Sequence, residues 1–163
     1  MRRLPSVVRK SVIALVFGSI GLSLYGSASA ATGDTAENLA PVDVVAVSGL
    51  LDHVVVAEIE TALERSATNG AQAVVLQVNS RGAVVSEARM AQLLERVATA
   101  KIPVAVWVGP TGARAYGLSA QLLAVADVSA MAPGARIGFT GKALVVNGKE
   151  TSFGDSSTQL RVS

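Results

Sequence analysis

Apolar runs of strand length alternate along this chain with segments whose apolar residues recur at helical spacing. The runs are VDVVAVS (residues 42–48), AVVLQVN (73–79) and PVAVWVG (103–109), and a shorter VSAMAPG (128–134) reads as a strand and turn. Runs that are apolar throughout are typical of strands buried on both faces of a parallel sheet. Three strand-then-helix units predict right-handed βαβ crossovers, and therefore an α/β fold with a mostly parallel sheet.

The two helices between the first three runs have recognisable starts. Asp52 is a candidate N-cap of the first helix, which Asn69-Gly70 ends, and Ser86 is a candidate N-cap of the second. The apolar faces recur at helical spacing. They consist of Val55, Ile59, Ala62 and Leu63 in the first helix and of Met90, Leu93, Leu94 and Val97 in the second.

Two later segments are harder to assign. The stretch GARAYGLSAQLLAVADV (112–128) predicts a loop that runs into an apolar helix, and SRGA (80–83) predicts a turn in which Ser80 bonds the backbone. Periodicity fails beyond Gly138. We therefore expect residues 141–163 to form an irregular C-terminal tail, with NGKET (147–151) as an exposed hairpin turn.

The first thirty residues have the pattern of an export signal. Basic residues precede a 15-residue apolar run, and Ala28-Ser29-Ala30 offers a small-residue cleavage site. A secretory signal peptide is the first interpretation of residues 1–30, and an uncleaved membrane anchor is the alternative. A polar linker follows at residues 31–41. The chain is accordingly expected to be exported, and membrane-associated or extracytoplasmic.

Charge and cysteine content exclude several classes of function. Four of the 14 Lys and Arg residues, and none of the 12 Asp and Glu residues, lie in residues 1–30, so the remainder is slightly acidic. That balance does not indicate nucleic acid as a partner. Without cysteine there is no disulfide, thiolate nucleophile or zinc-thiolate site. The sequence indicates no metal and no cofactor.

Three motifs resemble those of the ClpP and crotonase superfamily, and most closely the NfeD-type membrane-bound serine proteases of the ClpP class. NSRGA (79–83) stands where ClpP-class proteases typically have Asn-Ser-Pro-Gly-Gly. GARAYGLS (112–119) stands where the NfeD type has Gly-Ala-Arg-Ala-Ala-Ser-Ala-Gly, and MAPG (131–134) follows without a gap. The resemblance covers residues 42–140 and implies a ClpP/crotonase-like core of βαβ units.

The sequence departs from the family pattern at the positions of the catalytic residues. Aligned without gaps, the nucleophilic serine of the family corresponds to Gly117, and Ser119 lies two positions later. Ser119 would therefore act as nucleophile only if the start of the helix shifted. The resemblance also implies backbone donors of an oxyanion hole at Gly82 and Leu118.

A catalytic base is not evident. NfeD-type enzymes use a lysine in a later helix, whereas Lys142 and Lys149 lie outside any helical motif. His53, the only histidine, begins the first helix and lies far upstream. Asp127 is interpreted as a structural acceptor of hydrogen bonds from the backbone or from Arg114.

The resemblance implies an NfeD-like, membrane-associated serine-endopeptidase-type domain that is catalytically degenerate and binds an extended peptide or a partner. A stomatin-like membrane protein is the expected partner, and a homo-oligomer is a further expectation. Because the NfeD type continues with further segments, we also expect a truncated relative. Two alternatives stay open: an active serine protease that uses Ser119 with Lys142 or Lys149, and a crotonase-like acyl-thioester enzyme or binding module.

Overall fold

The computed structural model describes residues 39–154 and 159–162. The expected export signal and most of the linker lie outside these residues. The helices are α1 (His53–Thr68), α2 (Glu87–Ala98) and a 3₁₀ helix (Gly117–Ala124). The strands are β1 (Val42–Leu51), β2 (Ala73–Ala83), β3 (Val104–Val108), β4 (Arg114–Tyr116), β5 (Val128–Met131), β6 (Arg136–Gly138), β7 (Leu144–Val146), β8 (Lys149–Thr151) and β9 (Gln159–Arg161).

The expected mostly parallel sheet is confirmed, and it forks beside β2. Burial of the strands on both faces was a wrong expectation, because buried residues alternate with half-buried or exposed ones along β1, β2 and β3. β1 pairs with one edge of β2, while the other edge pairs first with β3 and then, at Ser80, with β4. β5 continues the β3 branch, and β6 continues the β4 branch, all in parallel. Among the described strands, β9 alone joins this sheet antiparallel, on β6. The fork brings the C-terminal end of β2 next to β4.

Helix α1 begins as its sequence predicts. The Asp52 carboxylate accepts hydrogen bonds of 2.9 Å from the backbone N–H groups of Val54 and Val55, and Asn69 caps the other end. The buried face is rotated from the expected one, because Val56 is buried and Val55 only partly so. Burial of Ile59, Ala62 and Leu63 is confirmed.

Helix α2 matches its prediction at every expected position. The Ser86 hydroxyl accepts a 3.2 Å hydrogen bond from the Arg89 N–H. The four predicted apolar residues are all buried: Met90, Leu93, Leu94 and Val97. Together with α1 they form one core with the buried side chains of the sheet, such as Val45, Leu76 and Val106, which stand in register on one face.

An ion pair links the two helices. The Glu60 carboxylate accepts hydrogen bonds of 2.8 and 2.7 Å from the two terminal nitrogens of Arg89, and both side chains are at least three-quarters buried. These bonds favour the charged carboxylate, so Arg89 holds the pKa of Glu60 below its ordinary 4.5. The pair fixes the relative position of α1 and α2.

Replacement of Glu60 by glutamine is expected to lower the free energy of unfolding by about 1 kcal/mol at neutral pH. Because the folded pKa is lowered, the stabilisation is present above the pH range in which unfolded glutamate titrates, and it is lost as the pH falls through the folded pKa. Urea unfolding at neutral and at acidic pH measures this difference, with Glu58→Gln, an exposed change on the same helix, as control. If the wild-type chain and Glu60→Gln differ in unfolding free energy by the same amount at acidic as at neutral pH, the ion pair does not stabilise the fold as described.

Three expectations about the second half of the chain are wrong. SRGA (80–83) is not a turn but the end of β2, because a register shift between Gly49 and Leu50 lets β1 continue beside it. The loop expected before the apolar helix contains strand β4, and the helix is 3₁₀. Residues 141–163 are not uniformly irregular, since β7, β8 and β9 lie there.

The hairpin expected at NGKET is confirmed. β7 and β8 pair antiparallel, and Val146 opposes Lys149 across the two residues Asn147 and Gly148. Both of these residues have positive φ, +51° and +74°. Asn-Gly is the preferred dipeptide for such a two-residue turn because both residues tolerate that conformation. The turn explains how two strands of only three residues pair with each other.

Candidate functional site

The candidate site lies where β4 passes into the 3₁₀ helix. Gly117, the first residue of that helix, has φ +58°, a conformation that costs other residues about 1 kcal/mol. A Cβ placed on Gly117 would lie 3.7 Å from Gly82 Cα and 3.9 Å from the Phe139 carbonyl oxygen. The position that the resemblance gives to the nucleophile therefore faces Gly82, but it carries no side chain.

Gly82 also adopts a conformation that favours glycine, with φ +142°. The Gly82 N–H donates a 3.2 Å hydrogen bond to the Ser80 hydroxyl oxygen, and that hydroxyl donates to the Gly82 carbonyl at 2.9 Å. The expectation that Ser80 bonds the local backbone is confirmed. Gly82 would have to release Ser80 before its N–H could serve an oxyanion.

Ser119 is placed as a structural residue. Its side chain is completely buried, and its hydroxyl donates a 2.7 Å hydrogen bond to the carbonyl of Tyr116. In a 3₁₀ helix successive residues turn by about 120°, so Ser119 lies some 240° around the axis from Gly117. Its hydroxyl consequently closes the first turn of the helix and does not share the direction from Gly117 towards Gly82.

The cationic and imidazole side chains considered as bases lie in exposed positions. Lys142 Nζ is 3.6 Å from Glu87 Oε1 and its side chain is 80 % exposed. Lys149 is exposed on β8, and His53 is exposed at the first position of α1. A lysine acts as a base where removal from water favours its neutral amine. Neither lysine has such surroundings.

Two polar side chains, only the first of which was assigned a role from the sequence, hydrogen-bond to the backbone of strands in the sheet. The Asp127 carboxylate accepts a 2.8 Å hydrogen bond from the Val104 N–H at the start of β3, so its expected role as a backbone acceptor is confirmed. The Asn79 side-chain oxygen accepts a 3.1 Å hydrogen bond from the Arg114 N–H. Asn79 thus ties β2 to β4 just before the two glycines meet.

Gln121 is the residue that sequence reasoning missed. Its side chain is completely buried; Nε2 donates to the Thr140 carbonyl at 2.5 Å, and Oε1 accepts from the Phe153 N–H at 2.8 Å. A single amide therefore holds two segments from beyond β6 against the 3₁₀ helix. The available signal was a polar residue inside the apolar run LSAQLLAV.

This forked parallel sheet, with helices packed on one face, is the fold of the ClpP-like proteases. Among solved structures with this fold, the chain is similar to 1510-N, a membrane protease specific for a stomatin homolog from Pyrococcus horikoshii, with 24 % identity and a TM-score of 0.56 over 61 % of this chain and 49 % of that chain. No family model and no curated protein sequence matches the chain.

Two variants of the same membrane-bound protease are also similar. A lysine-to-alanine mutant in complex with a substrate peptide matches at 22 % identity, with a TM-score of 0.59 over 72 % of this chain and 53 % of that one. A serine-to-alanine mutant matches at 23 % identity, again with a TM-score of 0.59, over 71 % and 56 %. The present chain thus spans about half the length of these solved structures, and at such identities the likeness establishes the fold.

The solved neighbours are described as membrane-bound. In residues 39–154 and 159–162 of the present chain, no helix has the length and apolar composition required to span a bilayer.

Proposed function

We propose that this chain is a protease-fold domain that binds an extended peptide without hydrolysing it. One observation carries the proposal: the position that faces the Gly82 backbone is Gly117, which offers no hydroxyl. The nearest serine in sequence, Ser119, has its hydroxyl committed to the Tyr116 carbonyl. The site keeps its backbone shape and lacks the group that would attack a peptide bond.

The end of β2 supports the binding half of the proposal. β1 occupies one edge of this segment, and on the other edge the ladder with β4 consists of the single pair Ser80 and Ala115. Within the described residues, Arg81, Gly82 and Ala83 have no ladder partner on that side. A strand segment without a ladder partner is the kind of edge to which an extended peptide adds through backbone hydrogen bonds.

The solved neighbours support the choice of partner. The 1510-N protease is specific for a stomatin homolog, and one of its variants was solved with a substrate peptide. We infer that the present chain binds a segment of a stomatin-like membrane protein. Export through residues 1–30 and association with a membrane would place it beside such a partner.

Incubation of the full chain with a purified stomatin homologue tests both the proposed binding and the proposed absence of hydrolysis. The expected result is saturable binding with no new fragments by mass spectrometry. Gly82→Ala, which adds a methyl group between β2 and the Tyr116 carbonyl, should weaken binding roughly tenfold, or by about 1.4 kcal/mol. Gly112→Ala also places an alanine at positive φ, at +78° instead of +142°, with open space around the added methyl, and serves as the control.

Absence of saturable binding by the wild-type chain would contradict the proposed function. Fragments that appear with the wild-type chain and disappear in Ser119→Ala would show that Ser119 is a nucleophile. Equal loss of binding in the two glycine variants would indicate that backbone strain, and not occupation of the β2 edge, weakens the complex.

A further inference from the structure

Three arginines stand side by side across neighbouring strands. In the register of the sheet, Arg114 of β4 is the partner of Arg136 on β6, and Arg136 is the partner of Arg161 on β9. Residues that are direct partners in a ladder project to the same face. Strands lie about 4.8 Å apart, so the row places three guanidinium groups along roughly 10 Å of backbone. We call these residues the arginine row.

Like charges placed directly opposite each other destabilise a sheet. The ion pairs found in the described part of the chain involve Arg89, Arg96 and Lys142, so none of them neutralises the arginine row. Arg136 and Arg161 are exposed, and Arg114 is partly exposed. The row is therefore a concentrated positive surface on a rigid element.

A groove adjoins the row and reaches the candidate site. It has a volume of ≈ 430 Å³, and Arg136 and Arg161 line it together with Tyr116, Phe139 and Gln159. The rings of Tyr116 and Phe139 meet edge to face, with centroids 6.1 Å apart. The same Phe139 contributes the carbonyl oxygen that lies 3.9 Å from a Cβ placed on Gly117.

Phe139 has a strained backbone conformation and an exposed side chain. Its φ is +50°, which is an outlier for a bulky side chain, and the ring is 60 % exposed. Backbone strain of this kind concentrates at ligand-binding positions, where the surrounding structure maintains it. An exposed aromatic ring beside guanidinium groups provides a combined surface for an apolar and an anionic group.

We propose that the groove and the arginine row select a peptide with carboxylate side chains near an apolar residue. This inference rests on the proposed function, because it names the class of peptide for the same site. Carboxylates match the planar, forked donors of arginine, and the aromatic pair accepts the neighbouring apolar side chain.

Fluorescence anisotropy of the full chain in a non-ionic detergent tests the proposal. The probe is a short labelled peptide with alternating aspartates and a central leucine, and its counterpart has asparagine at each aspartate. The acidic peptide should bind roughly tenfold more tightly, because hydrogen bonds between a guanidinium group and a carboxylate are stronger than those to a neutral amide. Arg136→Gln and Arg161→Gln should each remove most of that preference.

Arg96→Gln, an exposed change on α2 outside the groove, is the control and should leave binding unchanged. Arg136→Lys keeps the charge and should retain part of the preference, which separates a charge effect from misfolding. Equal binding of the acidic and neutral peptides overturns the acidic preference while the proposed function stands. Failure of both peptides and of the stomatin homologue to bind overturns both.

Glycerol phosphate and free aspartate, added as competitors, distinguish a phosphate site from a carboxylate site. Displacement of the acidic peptide by aspartate at least as readily as by glycerol phosphate supports the proposal. Displacement by glycerol phosphate alone would overturn it in favour of a lipid headgroup.

Discussion

Replacement of Gln121 by leucine is expected to lower the free energy of unfolding by about 2–4 kcal/mol, because it removes the hydrogen bonds of a completely buried amide. The side-chain volume changes little, so the loss comes from the hydrogen bonds. The Phe153 N–H loses its acceptor, and the Thr140 carbonyl loses a donor that lies 2.5 Å away. Urea unfolding measures the free energy.

Hydrogen exchange locates the effect of this variant. The segments around residues 139–142 and 152–153 should exchange faster, because the Gln121 amide joins them to the 3₁₀ helix. Gln92→Leu, on the exposed face of α2, is the matched control and should change stability by less than about 0.5 kcal/mol. If Gln121→Leu costs no more than Gln92→Leu, the amide does not hold these segments.

The parts of the fold that could be predicted are those governed by local sequence. The caps at Asp52 and Ser86 act on N–H groups within three residues, and the apolar face of α2 follows from helical spacing. The parallel sheet followed from the order of strands and helices. Val56 replaced Val55 as a buried residue because packing against the sheet sets the final rotation of α1.

The parts that could not be predicted depend on residues far apart in sequence. SRGA is part of a strand because β1 continues beside it beyond Gly49. β6 and β9 pair with each other although each has only three residues. No periodicity is measurable over such lengths. The Asn-Gly turn between β7 and β8 was recognised because its signal lies within two residues.

The candidate site was predictable only through the resemblance. Composition and spacing do not distinguish Gly117 from the other glycines among the 15 in the chain. The motif match singled it out, because the nucleophilic serine of the family aligns with this position. The approach of Gly117 to Gly82 and the bond from Ser119 to Tyr116 required coordinates. The arginine row also required them, because its members are partners only through the sheet register.

The proposed absence of a nucleophile predicts that the chain has no covalent reactivity towards serine-directed probes, which is the largest effect expected for this protein. A reactive serine needs a base within hydrogen-bond reach and an accessible hydroxyl. Ser119 is fully buried and donates to a carbonyl, while Lys142 is 80 % exposed beside Glu87. Gly117→Ser would restore a hydroxyl that faces Gly82 but supplies no base, so the variant should also remain unreactive.

Labelling of the full chain with a fluorophosphonate probe, followed by intact-mass and tandem mass spectrometry, tests this account most directly. An established serine protease under the same conditions serves as the positive control. The wild-type chain, Ser119→Ala and Gly117→Ser are all expected to remain unlabelled. A stoichiometric adduct on Ser119 of the wild-type chain, absent from Ser119→Ala, would show that the chain is an active serine hydrolase.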